Sequence, residues 1–98
     1  MIAKAKTHNV LTALDNTWGA GLAFCAFDYD VDISIHALTK YPSGGADVLM
    51  GSIVTRDRTL HLQLKDAHAQ LGIGIAANDA ELVLRNLPTL LLRYQQQD

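Results

Sequence analysis

The sequence predicts a partial α/β layer, three strands followed by helices, and three observations carry that expectation. Residues 31–39, VDISIHALT, place Val31, Ile33, Ile35 and Ala37 on one face, at the period of two that a half-buried strand requires. Beyond residue 56 the period changes, and Leu60, Leu64, Ala67 and Leu71 fall on one helical stripe. A doubly wound sheet needs helices on both faces, and this chain has too few to supply them. Residues 1–98 are therefore expected to form a single partial domain, cut from a larger fold.

VLTALD, residues 10–15, is short, apolar and β-favouring, and reads as a first strand ending at Asp15. NTWGAGLAFCAF follows, broken by Gly19 and Gly21, with a helical turn expected around Leu22 to Phe27. DYDVD spaces three carboxylates like the start of a calcium loop. It lacks the glycine at the sixth position and the distal glutamate, so a solvated turn is expected. The clear strand at 31–39 leads into KYPSGGAD, a loop marked by Pro42, Gly44 and Gly45. VLMGSIVT, 48–55, reads as a third strand.

A helix is expected over 57–71, broken by GIGIAA. That glycine pattern follows a helix rather than a strand, which excludes a dinucleotide fingerprint. Asn78 with Glu81 three residues on has the form of a helix cap before AELVLRNL. Pro88 should end that helix or open a new one at its first turn, and TLLLRYQQQ continues helically.

Composition narrows the function classes. Hydrophobic residues make up 49% of the chain, enough for a core, but only 18% are charged, below the roughly 25% usual for soluble domains. Apolar surface needing cover is expected, and with it self-association into a homo-oligomer. The net charge is −2 and the eight basic residues are scattered, so nucleic acid is not an expected partner. The one cysteine, Cys25, excludes an intrachain disulfide and is expected to be buried in a protein of the reducing cytosol. No run approaches the ~20 apolar residues of a membrane helix, and no signal-peptide core opens the chain, so a soluble cytoplasmic protein is expected. His61 and His68 lie seven apart with no third ligand nearby, so no metal site is expected.

Four groups suggest chemistry. Asp15 ends the first strand and Thr17 lies two residues on; Lys40 follows the second strand, preceded by Thr39. Ligands in open α/β sheets sit outside the carboxyl ends of strands, so a carboxylate, two hydroxyls and an amine could share one crevice. Such a set suits pyridoxal phosphate, although a solvated loop lysine and a turn-capping aspartate would leave the same pattern.

LDNTWGAGLAF, DVDISIHALTKYPSGGADVLMGSIV and AELVLRNLPTLLLRY resemble, in order and spacing, the pyridoxal-phosphate enzymes of cysteine and methionine metabolism, and most closely the cystathionine β-lyase group. The resemblance runs from about residue 11 to 94. It implies the aspartate-aminotransferase-type fold (fold type I), with this chain covering the later part of the cofactor-binding large domain. It also implies that Lys40 forms the Schiff base and shuttles the α-proton, and that Asp15 pairs with the pyridinium nitrogen. Thr17 would lie against the phenolic oxygen, and Thr39 would donate to the phosphate. The implied reaction is β-elimination on cystathionine or a related sulfur amino acid, giving pyruvate, ammonia and a thiol. Sibling γ-lyase or γ-synthase chemistry is the alternative.

The chain departs from that pattern at Ala37, where many relatives carry serine, at Gly44-Gly45-Ala46-Asp47, often Gly-His-Ser-Asp, and at Pro88, often a basic helical residue. A complete family member is several times longer, and its phosphate loop, ring-stacking tyrosine and carboxylate-binding arginine have no counterpart here. The isolated chain is expected to be inactive, and the contrasting reading is a non-catalytic truncated fragment that folds or self-associates.

Overall fold

Three short strands, β1 (Ala13–Asp15), β2 (Ile33–Ala37) and β3 (Gly51–Val54), form one sheet in the order β1-β2-β3. The segment with the clearest alternation thus takes the central place. This is a computed structural model, and it describes residues 1–97. The helices are α1 (Ile2–Thr7), α2 (Arg58–Gln70), α3 (Ala77–Asn86) and α4 (Leu90–Gln97), with 3₁₀ turns at Ala26–Tyr29 and Leu87–Thr89. All three expected strands are present but shorter than their apolar runs, and α1 was not anticipated.

β1 pairs parallel to β2, with Asp15 opposite Ile35, while β3 pairs antiparallel to β2, with Gly51 opposite Ala37. The carboxyl ends of β1 and β2 and the start of β3 therefore meet at one edge of the sheet. Parallel neighbours need a crossover of a dozen or more residues, which residues 16–32 supply. The helical turn expected at 22–27 forms instead at Ala26–Tyr29, and Asp30, in the left-handed region at φ 61°, stops it.

Asp32 corrects the expectation of a solvated DYDVD turn. Its Oδ2 accepts from the amide and the hydroxyl of Thr12, each at 2.8 Å, and its own amide donates to Thr12 Oγ1 at 3.2 Å. These bonds fasten the return of the crossover beside the residue that leads into β1. They also hold the Asp32 carboxyl below its usual range, the Thr12 amide contributing most.

α2 begins where expected, because Asp57 caps it by accepting from Leu60 N at 2.6 Å. Its stripe is only partly covered: Leu60 and Leu64 are half-buried, whereas Ala67 and Leu71 are exposed. The proposed Asn78 cap is not used. α3 starts after Ala76, Asn78 lies inside its first turn, and no side chain caps it. Glu81 sits instead 3.8 Å from Arg85 on the exposed helix face. Pro88 occupies the 3₁₀ turn between α3 and α4, where its missing amide hydrogen removes no helix-interior bond.

Among the described residues the buried apolar side chains are small: Ala20, Ala26, Val31, Val48 and Val83. Cys25, expected inside, is exposed, and its neighbour Ala26 takes the buried position at the start of the 3₁₀ turn. Leu49 is 93% exposed and Trp18 70%. The accessible surface is 7162 Å², against roughly 5,500 Å² for a self-contained monomer of this mass. The radius of gyration, 14.9 Å, likewise exceeds the roughly 12.6 Å of a compact domain this long. With extents of 41 × 35 × 16 Å, the molecule is a slab whose faces are largely open.

Candidate active site

The site grows from the shared strand edge. Asn16 N extends the parallel ladder by donating to Ile35 O at 2.8 Å, which places Thr17 level with Ala37. The buried Thr17 hydroxyl accepts from Ala37 N at 2.9 Å and donates to Asp15 Oδ1 at 2.5 Å, while Thr17 N donates to the same oxygen at 3.0 Å. One threonine thus locks the carboxylate of β1 to the end of β2. The Thr17 hydroxyl, then the Thr17 amide, hold the Asp15 carboxyl below its usual range, with a smaller contribution from His36. Only Oδ1 takes these bonds.

Three residues beyond β2, Lys40 turns out into solvent, its backbone amide donating to Ala37 O at 3.2 Å. Its Nζ lies 5.8 Å from the centre of the Trp18 ring, within range of a cation–π attraction. Trp18 meets Tyr41 edge-on at 6.3 Å, and Tyr41 packs against Tyr94 of α4 at 5.1 Å. A cavity of about 380 Å³ opens here, lined by Trp18, Thr39, Lys40, Tyr41, Arg93 and the glycine-rich turn. No ion pair to Lys40 occurs among the described residues.

The structure therefore brings Thr39 and Lys40 into one cavity, and joins Asp15 to Thr17 directly. Asp15 and Thr17 do not line that cavity; Trp18, next in sequence to Thr17, connects the two groups. Thr39 has a further duty. Its hydroxyl accepts from Met50 N at 3.1 Å and donates to Met50 O at 3.4 Å, closing the base of the lysine loop.

Sequence reading missed the residues that hold this loop from across the chain. Ser43, fully buried, donates to Thr39 O at 2.7 Å. Asn86 Nδ2 donates to Ser43 O at 2.6 Å, and Arg93 Nη2 to Tyr41 O at 2.8 Å. Their partners lie 43 and 52 residues away in sequence, beyond the reach of any local pattern.

The donor set fits pyridoxal phosphate. Among the described residues it offers an amine without an ion pair and an aromatic wall in the cavity, and beside it a carboxylate kept anionic with one oxygen uncommitted. Comparisons with known proteins agree. The family model described as "Cys/Met metabolism PLP-dependent enzyme" matches residues 1–98. A cystathionine β-lyase of Bordetella avium is 36% identical over 92 residues, covering 94% of this chain and 23% of that protein. An L-alanine/L-glutamate racemase of Wolbachia pipientis wMel is 34% identical over 96 residues, covering 98% and 24%. The solved structure of CalE6, a methionine γ-lyase from Micromonospora echinospora, matches with a TM-score of 0.89 at 32% identity, covering 93% of this chain and 25% of that one. The chain spans about a quarter of the length of these relatives. With fold, donor set and sequence in agreement, the chain belongs to the pyridoxal-phosphate-dependent enzymes of cysteine and methionine metabolism.

Proposed function

We propose that this chain carries the lysine-bearing part of a carbon–sulfur lyase acting on cystathionine or a related sulfur amino acid by β-elimination. The observation that carries this reading is the parallel pairing of β1 and β2, which brings Asp15 and the Lys40 loop to one strand edge. When bound, pyridoxal phosphate supplies the electron sink that makes the substrate's α-proton acidic. The protein's part is positional and electrostatic. Lys40 holds and moves that proton, its amine presented on the open cavity against Trp18. Asp15, kept anionic by Thr17, holds a proton on the ring nitrogen. Thr39 lines the cavity beside Lys40, and its single hydroxyl proton, directed at Met50 O over 3.4 Å, would have to turn to the phosphate to donate there.

Solved γ-lyases and γ-synthases match the same segment, so γ-chemistry is the alternative. A second reading, a fragment without catalysis, draws support from the large open surface. The test is to add pyridoxal phosphate to the purified chain, reduce with borohydride, and map adducts by peptide mass spectrometry. Adduct concentrated on Lys40 and absent in Lys40→Ala is the expected result. Even labelling of Lys4, Lys6, Lys40 and Lys65 would overturn the assignment. Turnover of cystathionine by the same preparation then separates an active chain from a binding-only fragment.

A further inference from the structure

Arg93 makes the most hydrogen bonds of the side chains that hold the lysine loop. It projects from α4, and its Nη2 donates to the carbonyls of Tyr41 at 2.8 Å, Pro42 at 3.4 Å and Asn86 at 2.9 Å. Its Nη1 donates to Thr89 Oγ1. Asn86, held by the same guanidinium, donates onward to the next loop carbonyl, that of Ser43. Three consecutive carbonyls after Lys40 are thus gripped from the α3–α4 corner. Gly44 follows at φ +72°, and a Cβ there would lie 2.8 Å from Arg93 Nε. Only glycine allows the backbone to take that turn flat against the guanidinium.

We infer that Arg93 is a positioning residue for Lys40: it fixes the Tyr41–Gly44 backbone so that the lysine amine stands over Trp18. The chemistry favours arginine. A planar guanidinium is permanently charged and offers five donors in a rigid fork, which can span a loop and a helix turn together. A lysine ammonium is a point charge on a flexible stem and cannot hold both. This inference rests on the proposed role of Lys40, but the clamp itself can be measured without cofactor.

The experiment compares wild type with Arg93→Ala and Arg93→Lys by two readouts. The first is backbone amide exchange without cofactor, followed peptide by peptide. The second is the share of borohydride-fixed pyridoxal phosphate found on Lys40. Arg93→Ala is expected to speed exchange across residues 41–46 about ten-fold while β2 stays protected. Lys40's share of adduct should fall towards that of Lys4, Lys6 and Lys65. Sub-denaturing guanidinium should restore both in Arg93→Ala, and Arg93→Lys should not. Unchanged exchange and unchanged Lys40 share in Arg93→Ala overturn the inference and leave the Lys40 assignment standing. Even labelling already in wild type removes the Lys40 assignment, and the clamp is then decided by exchange alone. If Arg93→Ala also loses protection in β2, Arg93→Lys serves instead, because it keeps the charge and most of the volume but not the rigid fork. Loosening confined to 41–46 then supports the clamp, and no change there overturns it.

Discussion

Replacing Thr17 with valine removes one hydroxyl that serves two partners, and the consequences separate by pH. Valine keeps the shape but leaves Ala37 N without its acceptor at 2.9 Å, and takes from Asp15 its 2.5 Å donor. Thr17 is buried, so the orphaned amide has little access to water. Loss of that bond and exposure of an unmet donor should cost about 1–2 kcal/mol. In a chain this short that corresponds to roughly 4–8 °C in Tm per kcal/mol. The second consequence is electrostatic. Thr17 is the main cause of the lowered Asp15 pKa, so in Thr17→Val the carboxyl should return towards 3.8. A carboxyl lowered in the folded state adds stability that is present above its unfolded pKa and lost as pH falls through the folded value. The stability gap between wild type and variant should therefore be widest at neutral pH and narrow below about pH 3.8. Urea unfolding at several pH values measures the gap, and carboxyl NMR titration measures Asp15 directly. Thr17→Ser, which keeps the hydroxyl, should stay close to wild type. An Asp15 midpoint unmoved in Thr17→Val, or stability within a few tenths of a kcal/mol of wild type, would refute the reasoning.

Two further outcomes are expected. Asp57→Ala removes the side-chain cap of α2 and should destabilise that helix by about 1 kcal/mol, raising amide exchange in 58–70 about five-fold. Because α2 buries no residue, β2 should be unaffected, and a loss of protection throughout the sheet would show that α2 is coupled to it after all. The chain should also self-associate. Its surface exceeds that of a closed monomer by roughly 1,700 Å², about twice the roughly 800 Å² that each partner buries in a standard protein interface. Light scattering across a dilution series should show mass falling with concentration; a constant monomer mass with a cooperative thermal transition would sink this expectation.

The local features of the chain were legible before any coordinates. Alternation at Ile33, Ile35 and Ala37 identified β2, and the Leu60–Leu64 spacing identified α2, because strand and helix periods are written in neighbouring residues. The Asp15, Thr17, Thr39 and Lys40 positions stood out for the same reason, each lying at the end of such a segment. Capping was less legible: Asn78 has the right residue type, yet the chain enters α3 two residues earlier, at Ala76.

What the sequence by itself determined was the three strands, the helices from α2 onward and which side chains stand at the strand ends; α1 it did not show. Only the tertiary structure decided that β1 and β2 run parallel while β3 runs against them, and so that Asp15 and Lys40 share an edge. It alone showed Thr17 bridging to Ala37, Asp32 fastened to Thr12, and Arg93 gripping a loop 52 residues away. The physical reason is range. Periodicity and turn chemistry act over a few residues, whereas these hydrogen bonds depend on strand register and helix placement, which are set only when distant segments pack.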